Sequence, residues 1–213
     1  MSITDLLSGT RILEETHSKI NGDIQVVRDF TWGTYIKVGG LTQSGGILTK
    51  VWEETLKKVL KKKPHVHNCL ILGLGGGSVA GLVSRYWVGS NITGVDIDEK
   101  MVNMGKKYLG LSKIDINIKI EDASKFVEEE KNKYDLILID LYCGDKFPEK
   151  FENDKFMKSV KNLLTSGGIA VFNRLYGPHD RSNSMKIGRK LEKVFWKVDY
   201  VFPQANVELI CYN

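Results

Sequence analysis

Beyond Pro64 the chain has a rhythm that limits what it can fold into: short apolar runs alternate with helix-like stretches. Segments 69–73 (CLILG), 92–96 (ITGVD), 134–140 (YDLILID) and 168–173 read as strands, and 115–120 (DINIKI) alternates like another. Helices are predicted over 78–87, 99–109, 123–131, 154–164 and 184–195. Strands that are apolar on both faces need cover on both faces, which a parallel sheet wrapped by crossover helices provides. Right-handed crossovers then give an α/β, Rossmann-like, doubly wound, mostly parallel seven-stranded sheet. The last two runs, 198–202 and 207–212, have only Pro203 to Asn206 between them, so they are expected to form an antiparallel hairpin at the sheet edge.

Before Pro64 the pattern differs. Segments 23–30 (DIQVVRDF) and 34–38 (TYIKV) form a predicted β-hairpin, followed by a Gly-rich loop over 39–46 and a helix over 47–62. The expected organisation is a small hairpin appendage over 1–45 and a catalytic domain over 46–213. With 42% hydrophobic and 27% charged residues in 213, the chain matches a globular domain and not a disordered one. No apolar run approaches the ~18 residues of a membrane helix, and the acidic N-terminus lacks the apolar core of a signal peptide. Cys69, Cys143 and Cys211 are too scattered for a disulfide framework or a metal site. Together these features predict a cytoplasmic protein with no membrane partner and no metal. A net charge of +5 is mild, and no basic patch with interleaved aromatics marks a nucleic-acid partner.

The strongest local signal is Leu72-Gly73-Leu74-Gly75-Gly76-Gly77-Ser78, which leaves a buried strand and enters a helix. Glycines there let the backbone turn sharply and approach a ligand, and the helix start offers free N–H groups. Gly73, Gly75 and Gly77 are therefore candidate nucleoside contacts. Asp96 ends the next strand, where a carboxylate accepts from both ribose hydroxyls, with Ile97 beside it. Asp98 fits a helix N-cap better. Asp122 follows the third strand, where an acid can accept from the adenine amine while Ala123 leaves room for the ring; a helix cap is the competing role. Asp140 ends the fourth strand after four apolar residues, a costly place for a carboxylate that lacks solvent or a partner. It is the candidate catalytic residue, with Tyr142 and Asp145 behind it as weaker candidates. Arg174 and Tyr176, past the fifth strand, lie within reach of the same edge.

These residues resemble the spermidine synthase-like branch of the class I S-adenosylmethionine-dependent methyltransferase superfamily. Gly40-Leu41-Thr42-Gln43 followed by Trp52-Glu53-Glu54 is similar to the family's Gly-x-x-Gln segment and its Tyr-(His/Gln)-Glu helix. Val95 to Lys100 is similar to its Val/Cys-Glu-Ile-Asp-Glu stretch, and 134–140 to the strand that ends in its catalytic aspartate. The resemblance implies that Gln43 and Asp140 also touch the cofactor, that Trp52, Glu54, Tyr142 and Asp145 line the substrate pocket, and that the protein pairs as a homodimer. It also implies S-adenosylmethionine, or its decarboxylated form, as cofactor.

The departures bear on the reaction. Gly76 stands where aminopropyltransferases carry an Asp that holds the donor's ammonium, and Trp52 replaces a phenol. Without the loop acid the intact, carboxylate-bearing cofactor is admissible. Methyl transfer to an unidentified small-molecule or amine acceptor is therefore the expected reaction. Aminopropyl transfer from decarboxylated S-adenosylmethionine and a non-catalytic nucleoside-binding module are the alternatives. A nicotinamide-dependent oxidoreductase is a further one, because Gly75 to Ala80 also fits G-x-G-x-x-A.

Overall fold

A computed structural model describes residues 9–144 and 146–213. Four strands open the chain: β1 (Thr10–Ser18), β2 (Gly22–Asp29), β3 (Gly33–Val38) and β4 (Leu41–Gly45). They pair in chain order as one antiparallel sheet. The predicted hairpin is thus its middle, β2 and β3. The edge strands escaped prediction for different reasons. In β1, mostly polar residues replace the alternating apolar pattern. The glycines around β4 read as loop. Ile24, Val26, Ile36 and Val38 form this sheet's own apolar cluster.

Next come α1 (Gly46–Lys62), β5 (Asn68–Leu72), α2 (Ser78–Tyr86), β6 (Asn91–Asp96), α3 (Glu99–Tyr108), β7 (Asn117–Ile120), α4 (Ala123–Glu129) and β8 (Tyr134–Ile139). The chain then continues through α5 (Asp154–Asn162), β9 (Leu164–Leu175), α6 (Arg181–Val194), β10 (Lys197–Val201) and β11 (Asn206–Tyr212). The seven strands from β5 onward form one sheet in the order β10-β11-β9-β8-β5-β6-β7. Strands β5 to β9 pair in parallel, while β11 runs antiparallel to both β9 and β10. This is the doubly wound sheet with its antiparallel edge hairpin that the sequence implies.

Strand pleating sends alternate residues to opposite faces. Leu70, Leu72, Ile137 and Ile139 pack on one side with Phe126, Met157 and Leu191 from α4, α5 and α6. Cys69, Ile71, Leu136 and Leu138 pack on the other with Leu56, Val83 and Val102 from α1, α2 and α3. Met101 of α3 joins the apolar cluster of the N-terminal sheet, so one helix touches both sheets. Among the described residues, no helix is long and apolar enough to cross a membrane.

The chain order reverses between β8 and β5. Their C-terminal ends therefore diverge into connections on opposite faces and leave a crevice, the usual ligand position in an open α/β sheet.

Candidate active site

A cleft of about 420 Å³ opens over the C-terminal ends of these strands. The Gly-rich turn after β5 forms its floor. Gly73 adopts φ +86°, and a Cβ there would lie 2.1 Å from the Asp140 carbonyl oxygen. Only glycine lets the β5 and β8 tips come this close. Gly73 and Gly75 line the cleft, whereas Gly77 caps α2 with φ 86° and is buried off the wall. Gly76 is also buried and off the wall. A Cβ on Gly76 would meet Leu109 Cδ1 at 2.7 Å and Ile36 Cδ1 at 2.8 Å. Behind it, a Cβ on Gly105 of α3 would fall 2.4 Å from the Gly76 carbonyl oxygen. Helix α3 therefore packs on bare loop backbone, and a side chain at position 76 would have to push the ends of Leu109 and Ile36 aside.

Asp96 lies at the end of β6. It accepts from the Gly75 N–H at 2.6 Å and the Asp98 N–H at 2.8 Å, which ties the turn to the strand. Burial pushes its carboxyl up to about 6, against these backbone bonds. Each oxygen keeps a lone pair for a diol. Ile97 is half exposed on the cleft wall. Asp98 is the N-cap of α3, as its place beside the helix implied, and accepts from the Lys100 and Met101 N–H groups. It also accepts from Ser18 Oγ at 2.5 Å and Asn21 Nδ2 at 2.7 Å. A single buried carboxylate thus pins the β1–β2 turn over the cleft, where Ile20 and Asn21 become wall.

Asp122 caps α4 by accepting from Ser124 N–H at 2.8 Å, and it pairs with Lys150. Burial opposes its charge, but Lys150 and Ser124 outweigh it and hold the carboxyl down at about 2. The helix-cap role weighed in the sequence is therefore real, although Asp122 and Ala123 both border the cleft.

Asp140 stands just past β8, at the centre of the crevice. Its side chain accepts from Trp52 Nε1 at 2.9 Å and from Asn173 Nδ2 at 2.8 Å. Asn206 Nδ2 in turn donates to Asn173 Oδ1 at 2.8 Å. Burial raises the Asp140 carboxyl above its ordinary range, and the two donors moderate the rise. A buried carboxylate fixed at both oxygens is oriented and poised to take a proton.

The expected acceptor pocket takes a different form. Trp52 is fully buried and off the cleft wall, and it holds Asp140 from behind. Glu54 points to solvent beside Lys58, at 3.6 Å. Residues two apart on a helix point about 200° apart, so Trp52 inward already required Glu54 outward. Gln43 lines the cleft and donates from Nε2 to the Gly144 carbonyl at 2.9 Å, joining β4 to the loop after β8. Tyr142 lines the cleft as well. Its hydroxyl accepts from Leu175 N–H at 2.7 Å, and burial pushes it up to about 12. Asp145 lies outside the described residues. Arg174 turns away to pair with Glu152 at 2.5 Å and covers Phe147 at 3.9 Å. Burial raises the Cys143 thiol, which disfavours a thiolate. Among the described residues, no group of His, Cys, Asp and Glu side chains is arranged to hold a metal.

Sequence reasoning missed Asn173 and Asn206. Their role depends on β9 lying beside β8 and β11 beside β9, and strand order is not written in either segment.

The family model for the spermine/spermidine synthase domain matches residues 50–205. The chain belongs to the spermine/spermidine synthase family. It is 28% identical over 192 residues to a polyamine aminopropyltransferase of Clostridium botulinum, covering 86% of this chain and 67% of that one. It is 29% identical over 136 residues to a probable polyamine aminopropyl transferase of Bifidobacterium longum, covering 64% of this chain but only 30% of that one. The spermidine synthase of Thermotoga maritima superposes with a TM-score of 0.80 at 18% identity, covering 95% of this chain and 72% of that one.

These relatives overturn the expectation of methyl transfer, because the curated proteins this chain resembles are named for aminopropyl transfer. The error has a physical source. Losing a discriminating acid at Gly76 admits the intact cofactor but does not select it.

Proposed function

We propose that this chain transfers an aminopropyl group from decarboxylated S-adenosylmethionine to an amine, with residues 46–213 as the transferase unit and 1–45 as an appendage. The observation that carries the reading is Asp140: a carboxylate gripped at both oxygens by Trp52 and Asn173, partly open to the cleft at the sheet's switch point.

The nucleoside of the donor lies over the β5–β6–β7 side. Gly73 and Gly75 allow close backbone approach, Asp96 accepts from the ribose hydroxyls, and Ile97 and Ala123 flank the adenine. The donor's sulfonium is already activated, so the protein has mainly to align the nucleophile and exclude water. Asp140 removes the proton that an ammonium acceptor must lose to expose its lone pair. That lone pair forms the C–N bond to the methylene carbon, the C–S bond breaks, and its electrons leave sulfur as a neutral thioether. The Gln43–Gly144 bond closes the loop after β8 over the reacting atoms.

The test is to incubate the protein with decarboxylated S-adenosylmethionine and an amine, then measure methylthioadenosine and the extended amine. Asp140→Asn should lower kcat by roughly 10²–10⁴-fold, the usual range for a lost general base. Turnover of Asp140→Asn at the parent rate refutes the assignment.

A further inference from the structure

Strand register puts a second carboxyl in line with Asp140. Ile139 pairs with Phe172, so Asp140 stands level with Asn173, and Asn173 pairs with Glu208 of β11. Paired residues share a face of the sheet. Asp140, Asn173 and Glu208 therefore form a row beneath α1, whose Trp52 and Thr55 lie over it. Two strand spacings, about 10 Å, separate the ends of the row.

Glu208 and Thr55 are both fully buried. The Thr55 hydroxyl is near enough to favour a charged Glu208. Among the described residues, however, neither Glu208 oxygen nor Thr55 Oγ1 has a hydrogen-bond partner. Burial is the largest influence on this carboxyl and pushes it well above its ordinary range; Asp140 and Glu54 add to the rise, and Lys58 opposes it. On the other flank β10 presents Val201, and its Asp199 is held by Lys62 and Lys197. The row thus carries one negative charge, on Asp140, the carboxyl with two donors.

Asn206 lies one pleat from Glu208 toward the cleft and lines it together with Val51 of α1. Its amide nitrogen donates to Asn173, which leaves its oxygen to accept from a ligand.

We infer that Glu208 is the counter-charge for the second ammonium of a diamine acceptor, acting from beneath the Asn206 and Val51 floor without touching the ligand. The inference rests on the aminopropyl reading and names the residue that selects its substrate. The reacting nitrogen lies at Asp140 and the second ammonium over Asn206, so two cationic ends meet the two ends of the row. A monocation is balanced by Asp140 alone. A dication favours the charged form of Glu208, whose proton passes to solvent, and two negative charges then face two positive ones. Opposite charges several Å apart in a partly buried site favour each other by about tenfold or more.

The experiment is calorimetry on the full chain with methylthioadenosine bound, a setting in which no turnover occurs. It titrates 1,4-diaminobutane or n-butylamine at about pH 6 and about pH 8, in buffers of different ionisation heat. At the higher pH the diamine should bind about tenfold tighter than the monoamine and release more protons. Part of that advantage should disappear at the lower pH, where the proton on Glu208 is harder to remove. Glu208→Gln keeps the shape of the protonated acid but cannot ionise, so it should abolish the extra proton release and most of the advantage. Thr55→Val removes the hydroxyl that favours the charge and should give a smaller advantage than the parent protein. A diamine advantage that survives Glu208→Gln to within about twofold overturns the inference, as does equal proton release by the two amines. Methylthioadenosine release in the turnover assay then decides the aminopropyl reading separately. Binding of neither amine, with turnover of neither, overturns both.

Discussion

Trp52→Phe separates holding Asp140 from merely filling space. The substitution keeps an aromatic ring in the core and deletes the indole N–H that reaches Asp140 at 2.9 Å. A hydrogen bond to a charged group contributes about 1.5–3 kcal/mol. At about 1.4 kcal/mol per pH unit, its loss should raise the Asp140 carboxyl by about one to two units. The direction follows from the site: burial already raises this carboxyl, and Trp52 is one of two donors opposing that rise. A base must be ionised to act, so the acidic limb of the kcat/KM profile should move upward by at least about one unit. The assay is a pH–rate profile of methylthioadenosine release, with thermal melting in parallel. Melting falls in any case, because a fully buried indole is trimmed. An acidic limb unmoved within about 0.2 units, alongside a lowered melting temperature, refutes the claim that Trp52 tunes Asp140.

Asp96→Ala should weaken nucleoside binding by about 1–3 kcal/mol, the cost of unpaired hydroxyls, measured by calorimetry. In the parent protein, nucleoside affinity should fall as the pH drops through about 6, where buried Asp96 gains a proton; a flat profile from pH 5 to 8 contradicts the ribose role. The same raised carboxyl makes Asp96 a stability cost that grows as pH rises from about 4 toward 6, because the folded state prefers the protonated form there. Gly105→Ala should destabilise by about 3 kcal/mol or more in denaturant melts, since its Cβ would strike the Gly76 backbone and not a movable side chain. Asp98→Ala should cost about 2 kcal/mol and raise hydrogen exchange in the β1–β2 turn, because it removes a helix cap and the anchors of Ser18 and Asn21 together.

The parallel core was legible because its strands are apolar on both faces, a pattern that β8 displays from Leu136 to Ile139. Strand β9 begins at Leu164, four residues before the predicted start, after pairing with Tyr134 and a shift in register. A stretch containing two glycines gives no such warning. At the site, residues that follow a strand in sequence, such as Asp96 and Asp140, were found from local pattern alone. Partners that meet only through sheet order were not: Asn173 reaches Asp140 from β9, Asn206 of β11 braces Asn173, and Lys150 reaches Asp122 from a separate loop. Trp52 misled because a motif position was taken for a pocket position, although its helical phase pointed it inward.

The naked contact between the glycine turn and α3 leaves unequal freedom on its two sides. A side chain at 76 meets the ends of Leu109 and Ile36, which can swing aside, whereas one at 105 meets the Gly76 backbone, which cannot. The helix side is therefore the stricter of the two: whatever replaces Gly76, residue 105 must stay without a Cβ for the loop to keep its course.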